Sequence, residues 1–389
     1  MIRTAKSFGM LYVATLLMQL GSTLLITWLA LRLNAAGAAE FWVGALMAAN
    51  ALGMVFGGGV GRLLIGQVGH VRAYLMSGGV IVAALLGHVW STALPAWLVL
   101  RLMVGMAMMC QLMVIESWLN ERAENNGRGK VLAIYMVASY GGMMLGQLAL
   151  GLDDKDGTLA LPMVAMAFVL CFVPLVLTRI PPPMARAAAP VVPGQLVHGL
   201  SQAVLTVFVS GMLNGSFFGL SGVYAARQGM DTAAVGRYLA LTVVAGVLAQ
   251  LPLGLLSDRV LRITLIRGIA ILLACVCLPL GIWQGPPQAT LIAFSFAIGS
   301  LQFCLYLLGA GLANERICPD MRVPLVGMLL SVFGIGSCLG PLIAGALMTS
   351  TGASSLYYFF AGCAAVLAVV VGHTLRGDSQ AAKDAPVPH

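Results

Sequence analysis

Residues 119–151 read LNERAENNGRGKVLAIYMVASYGGMMLGQLALG, and residues 313–345 read ANERICPDMRVPLVGMLLSVFGIGSCLGPLIAG. The two stretches align without a gap at a spacing of 194 residues. Asn120, Glu121, Arg122 and Arg128 fall on Asn314, Glu315, Arg316 and Arg322. Gly142, Gly146 and Gly151 fall on Gly336, Gly340 and Gly345, and Gly21-Ser22 falls on Gly215-Ser216. The matched pieces are polar elbows and glycine-rich apolar helices, so the chain reads as two copies of one helical unit. A duplicated, membrane-embedded chain of this kind places its ligand site between the halves.

Composition sets the medium. Of the 389 residues 60% are hydrophobic and only 9% charged, whereas soluble domains carry about 25% charged residues. A membrane span needs about 20 apolar residues. Runs of that length sit near 8–32, 42–65, 71–92, 96–119, 130–152 and 159–180, and again near 198–223, 233–256, 263–283, 288–313, 323–348 and 354–375. The predicted fold is therefore an all-α integral membrane protein with twelve transmembrane helices in two pseudo-symmetric halves. The halves cover residues 1–180 and 198–376. Residues 181–197, rich in Pro and Ala, form a cytoplasmic linker, and the polar residues 377–389 read as a disordered cytoplasmic tail. The basic opening MIRTAK precedes a run long enough to span, with no clear small-residue cleavage site, and reads as a retained first span.

The net charge of +8 does not point to nucleic acid, because polytopic proteins gather Lys and Arg in cytoplasmic loops. With the N-terminus inside, all but five of the 21 Lys and Arg fall on the inner side; the exceptions are Arg32, Arg101, Lys155, Arg227 and Arg237. Both termini are thus predicted to be cytoplasmic in a bacterial-type inner membrane, with Asp153, Asp154 and Asp156 outside. Trp42, Trp90, Trp97 and Trp283 fall at outer span ends, where indole suits the interface. The eight cysteines lie almost all within apolar spans and form no CxxC pair, so neither a disulfide framework nor a metal site is expected. No Walker motif, nucleophile elbow or HExxH appears, so neither catalysis nor a cofactor is expected.

The loop between spans 8 and 9 reads Gly254-Leu-Leu-Ser-Asp258-Arg259-Val-Leu-Arg262. A glycine there lets helices touch, and an Asp at a neighbouring helix N-terminus can hold an Arg. With the six-plus-six layout, this loop resembles the major facilitator superfamily over nearly the whole chain. It is similar to the family's G-x-x-x-D-R motif, which latches the two halves on the cytoplasmic side; an ordinary charged loop is the other reading. The first-half counterpart retains Gly69 and Arg72, but Gly66 and Gln67 stand where the family usually has Asp and Arg. Span 11 carries Gly336, Gly340, Pro341 and Gly345, similar to the family's G-x-x-x-G-P-x-x-x-G motif. Span 5 carries Gly142, Gly146 and Gly151 with Gln147 at the proline position. The span-5 form is associated with exporters in the family; close helix packing alone is the alternative. Within the superfamily, residues 114–136 resemble the YcaD-like group, whose function is poorly defined.

Candidate functional residues are those that are costly to place in a membrane. Span 4 carries Arg101 and Glu116, near one helical face but roughly 22 Å apart along the axis. Arg101-x-x-x-Gly105 resembles the family's span-4 arginine motif. Against a functional role, Arg101 has the option of snorkelling outward, and Glu116 that of pairing with Arg122 or Lys130. Gln19, Gln111, Asn214 and Gln302 lie on spans 1, 4, 7 and 10, the helices that line the cavity in this family. Asn50 and Gln250 are expected to bond helix to helix instead. Tyr135, Tyr140, Phe218 and Tyr306 either line the site or pack.

The resemblance implies a monomeric secondary active transporter of a small molecule, working by alternating access. Proton coupling is expected through Glu116, the one acidic residue well inside a span. A proton-independent uniporter or exchanger, and a non-transporting membrane sensor of the same fold, are the rivals.

Overall fold

The computed structural model describes residues 8–122, 128–152, 159–178, 200–283, 285–317 and 321–383. Among them twelve helices are long and apolar enough to cross a membrane. In the first half these are α1 (Gly9–Ala35), α2 (Glu40–Val68), α3 (His70–Trp90), α4 (Leu94–Glu121), α5 (Lys130–Leu152) and α6 (Ala160–Leu177). In the second they are α7 (Ser201–Arg227), α8 (Thr232–Ser257), α9 (Arg262–Ile282), α10 (Gln288–Glu315), α11 (Leu325–Thr351) and α12 (Ser355–Gly372). Helices satisfy every mid-membrane backbone group internally, which is why an apolar chain of this length adopts them. The boundaries fall within a few residues of those read from sequence.

The duplication is visible in the packing. α1 packs on α5 and α6, α2 on α4, and α3 on α4 and α6. Likewise α7 packs on α11 and α12, α8 on α10, and α9 on α10 and α12. Two seams join the halves, α2 against α11 and α5 against α8, exchanged by the same pseudo-symmetry.

The repeated glycines explain these seams. A Cβ at Gly142 or Gly146 would meet the backbone carbonyls of Leu16 or Leu20 on α1, and one at Gly336 or Gly340 those of Phe208 or Met212 on α7. Backbones this close exclude any side chain, the usual basis of helix association in lipid. The third glycine of each motif crosses to the other half: Gly151 of α5 faces Ala233 of α8, and Gly345 of α11 faces the Glu40 carbonyl of α2. Gly69 has a second reason to be glycine, a φ of 82° at the α2–α3 turn.

Some expectations change. The helix that begins with α12 runs to Lys383, so residues 377–383 are helical; Gln, Ala and Lys are good helix formers extending a packed span. The linker 181–197, the Asp153–Asp156 stretch and residues 384–389 lie outside the described residues. Trp90 is exposed, but Trp97 is buried with its ring against His88 at 5.4 Å, so it serves packing.

Candidate functional site

With an even number of spans both termini lie at one end of the bundle, here the terminal face; the opposite end is the far face. The two halves meet closely at the far face. Glu40, at the first turn of α2, is only 3% exposed and forms an ion pair with Arg227 at the end of α7. Arg227 Nε also donates to Asn34 Oδ1 of α1 at 3.2 Å. The Thr349 hydroxyl of α11 lies 3.3 Å from Glu40 Oε2 and accepts the Phe41 N–H at 3.0 Å. Below this network, Gly44 sits against the Pro341 carbonyl and Gly236 against that of Gln147. Phe217–Ser221 winds as a π-turn, the kind of helix irregularity often found at functional sites. It sets Gly219 against Met47 and is followed by Gly222 against Thr27.

Midway through the bundle the halves still touch, at Gly334 against Val55 and through Gln250 Nε2, which donates to Tyr140 Oη at 3.1 Å. Below the far-face network lies a cavity of about 450 Å³ lined from both halves. A cleft of about 340 Å³ toward Asp258 and Arg262 shares Gln250 and Leu307 with it.

The candidate polar residues divide. Gln19 and Asn214 line the cavity. Gln111 and Gln302 are fully buried outside its lining; Gln111 Nε2 makes a long 3.5 Å contact with the Tyr74 carbonyl, and neither polar atom of the Gln302 side chain has a partner among the described residues. Asn50 and Gln250, expected to bond between helices, both line the cavity. Asn50 Oδ1 has no partner among the described residues, while the Gln250–Tyr140 bond is interhelical as well. Tyr140, Phe218 and Tyr306 line the cavity, as do Phe303 and Phe333. Gln147, the proline replacement, accepts from the Thr27 hydroxyl at 3.0 Å and so fastens α5 to α1.

The charged candidates also separate. Glu116 is exposed, and its Oε1 accepts from the Tyr135 hydroxyl at 2.9 Å; Tyr306 of the other half is within electrostatic reach. Arg101 does not snorkel. It is 1% exposed, near His88, and its Nε and Nη2 have no hydrogen-bond partner among the described residues. In the loop motif, Arg262 pairs with Asp258 at 3.5 Å and with Glu315 of the repeated Asn-Glu-Arg elbow at 3.1 Å. All three belong to the second half, so among the described residues the ion pairs of the motif tie α8, α9 and α10 together. A Cβ at Gly254 would meet no neighbouring helix, contrary to the expected contact. Arg72 and Arg259 are exposed at the same face. Among the described residues no His, Cys, Asp and Glu cluster could hold a metal.

Two like six-helix halves around a shared cavity are the architecture of a membrane transporter. The chain matches the Major Facilitator Superfamily over residues 11–322 and 203–388 and belongs to that family. It is 30% identical over 315 residues to the uncharacterized MFS-type transporter YcaD of Salmonella dublin, covering 80% of each chain. It is 28% identical over the same length to an uncharacterized MFS-type transporter of Yersinia pestis, covering 79% of this chain and 81% of that one. Among solved structures, the nucleoside transporter NupG superposes with a TM-score of 0.76 at 15% identity, over 95% of this chain and 99% of that one. An inward-facing, unoccupied bacterial homologue of the human lysosomal transporter Spinster does so with 0.78 at 13%, over 95% of each. The D-xylose-proton symporter gives 0.72 at 13%, over 94% of this chain and 96% of that one. At these identities the solved structures speak for the fold alone.

Proposed function

We propose that this protein is a secondary active transporter that carries a small molecule across a bacterial inner membrane by alternating access, coupled to protons through Glu116. The observation that carries this reading is the arrangement along the bundle: an ion-paired far face, a mid-bundle cavity lined from both halves, and a cleft that continues from it toward Asp258 and Arg262 at the terminal face. Rocking the halves about that cavity would close the terminal face as the far face opens. The Gly254, Asp258, Arg259 and Arg262 motif, with Gly69 and Arg72, takes part in that closure.

The Lys and Arg bias supports placing the terminal face in the cytoplasm. A cysteine at Val260 of a Cys-depleted variant should resist an impermeant thiol reagent on intact cells, and labelling there would refute this orientation.

Glu116 suits a proton site because its carboxylate, within electrostatic reach of Tyr306 of the other half, has a single hydroxyl donor, Tyr135, as its hydrogen-bonding partner among the described residues. A carboxylate there can ionise when wet and take a proton when the face closes around it. Arg101, buried without a counter-ion among the described residues, belongs to the same pathway as its fixed positive charge. Glu116→Gln is expected to lower gradient-driven accumulation at least tenfold while sparing exchange, since the amide keeps the size and accepts from Tyr135. The assay is uptake into proteoliposomes with and without an imposed pH gradient. Full gradient-driven uptake by the variant would leave Glu116 a structural partner of Tyr135 only. The motif glycines Gly142, Gly146, Gly336 and Gly340 pack helices within each half, which is no argument for export over import.

A further inference from the structure

The lining of the central cavity carries information about what it takes. We infer that the substrate is an uncharged, largely apolar and aromatic-compatible molecule bearing at least one hydrogen-bond donor, and that the site accepts a range of such molecules. This rests on the transport reading above and specifies the ligand of the same cavity.

The first observation is charge. The cavity is lined by residues of eight helices, and among the described residues that line it there is no Asp, Glu, Lys or Arg. Glu116 lies outside the lining with its carboxylate bonded to Tyr135, and Arg101 is buried elsewhere in the first half. An ion enclosed here when the second face closes would lose its water and find no counter-charge, which is costly even for one charge. A neutral molecule escapes that cost.

The second observation is shape and softness. Met47, Met54, Met108, Met136 and Met143 enter the lining. Methionine is unbranched and polarizable, fills irregular gaps, and is common on surfaces that accept varied ligands. Opposite them stands an aromatic wall from the second half. Phe218 and Phe303 lie edge to face at 5.9 Å, and Tyr306 and Phe333 at 5.3 Å. Planar rings meet such walls in the same edge-to-face or offset geometry.

The third observation is unspent hydrogen bonding. Asn50 Oδ1 is buried with no partner among the described residues. Asn214 spends its Nδ2 on the Ser210 carbonyl at 2.8 Å, which leaves its Oδ1 as an acceptor. Two acceptors of the lining, Asn50 Oδ1 and Asn214 Oδ1, are therefore open to a donor from the ligand. A cavity of about 450 Å³ suits a molecule of two or three rings.

The test uses the purified full chain in lipid nanodiscs and three fluorescent probes on one skeleton. These are N-phenyl-1-naphthylamine and the same naphthylamine bearing a sulfonate or a trimethylammonium group, with signals corrected by empty discs. The expected result is that the neutral amine binds at least about tenfold more tightly than either ion. Met136→Lys, which adds a cation to the lining at a half-exposed position, should reverse the order for the sulfonate. Binding of the sulfonate or the trimethylammonium probe as tightly as the neutral amine would overturn the substrate class while leaving transport intact. No probe held above empty discs, by either protein, would overturn both the class and the transport cavity on which it rests.

Discussion

Glu40→Ala is expected to move the protein roughly 30-fold toward a state open at the far face, a shift of about 2 kcal/mol. Glu40 is almost wholly buried and holds Arg227 and Thr349 of the other half. Breaking a fully buried pair costs about 3–5 kcal/mol. The Arg227 side chain is 42% exposed, so water recovers part of that loss. The variant should remain folded and in the membrane, because the pair joins the halves and not the helices within one. A cysteine replacing Ser22 in the cavity should become reactive from the far side, and transport should fall at least tenfold because the far face no longer closes. Unchanged reactivity would reduce the pair to a surface contact. Reversing the charges, with Glu40→Arg and Arg227→Glu together, should recover part of the wild-type behaviour.

The second large effect separates two kinds of glycine seam. A Cβ at Gly105 would sit on the Asn50 carbonyl and one at Gly53 on that of Leu102, both within the first half where α2 meets α4. Neither backbone can give way, so Gly105→Val should cost more than the usual 1–3 kcal/mol of overpacking and remove most folded protein. Gly44 presses just as closely on the Pro341 carbonyl, but that contact crosses between the halves. Gly44→Val should therefore leave the fold intact and wedge the far face open, reproducing Glu40→Ala. Size-exclusion profiles of the detergent-extracted variants and Ser22 cysteine reactivity read the two outcomes. Equal loss of folded protein from both changes would mean that the halves do not move as separate bodies.

What the sequence revealed follows from what a side chain forbids. Close backbone approach excludes everything but glycine, so the repeated Gly142, Gly146 and Gly336, Gly340 announced the α1–α5 and α7–α11 seams, and the 194-residue spacing announced the two halves. Which way a lone polar residue points was not legible. Every face of these helices is apolar, because lipid and core ask for the same residues, and no periodic pattern marks the face toward the cavity. Hence Asn50 and Gln250 line the cavity while Gln111 and Gln302 do not. The Glu40–Arg227 pair was invisible for a different reason. An acid in a first helical turn and an arginine at a span end each have ordinary local explanations, and only the fold brings them together across 187 residues. The same holds for Arg101, whose position near a span end fits snorkelling as well as the burial observed. The charge-free character of the cavity required knowing which side chains lie outside it.

The central claim is that the two faces open in alternation around one cavity. The most direct measurement is a pair of interhalf distances by spin-label spectroscopy in nanodiscs, on a Cys-depleted background. One pair, at Ala36 and Thr351, reports the far face; the other, at Gln67 and Val260, reports the terminal face, and all four positions are exposed. The account predicts two distance populations at each face with opposite changes, the far-face distance growing as the terminal-face distance shrinks when Glu40 is replaced by alanine. A single distance at both faces, unmoved by that replacement, would contradict it.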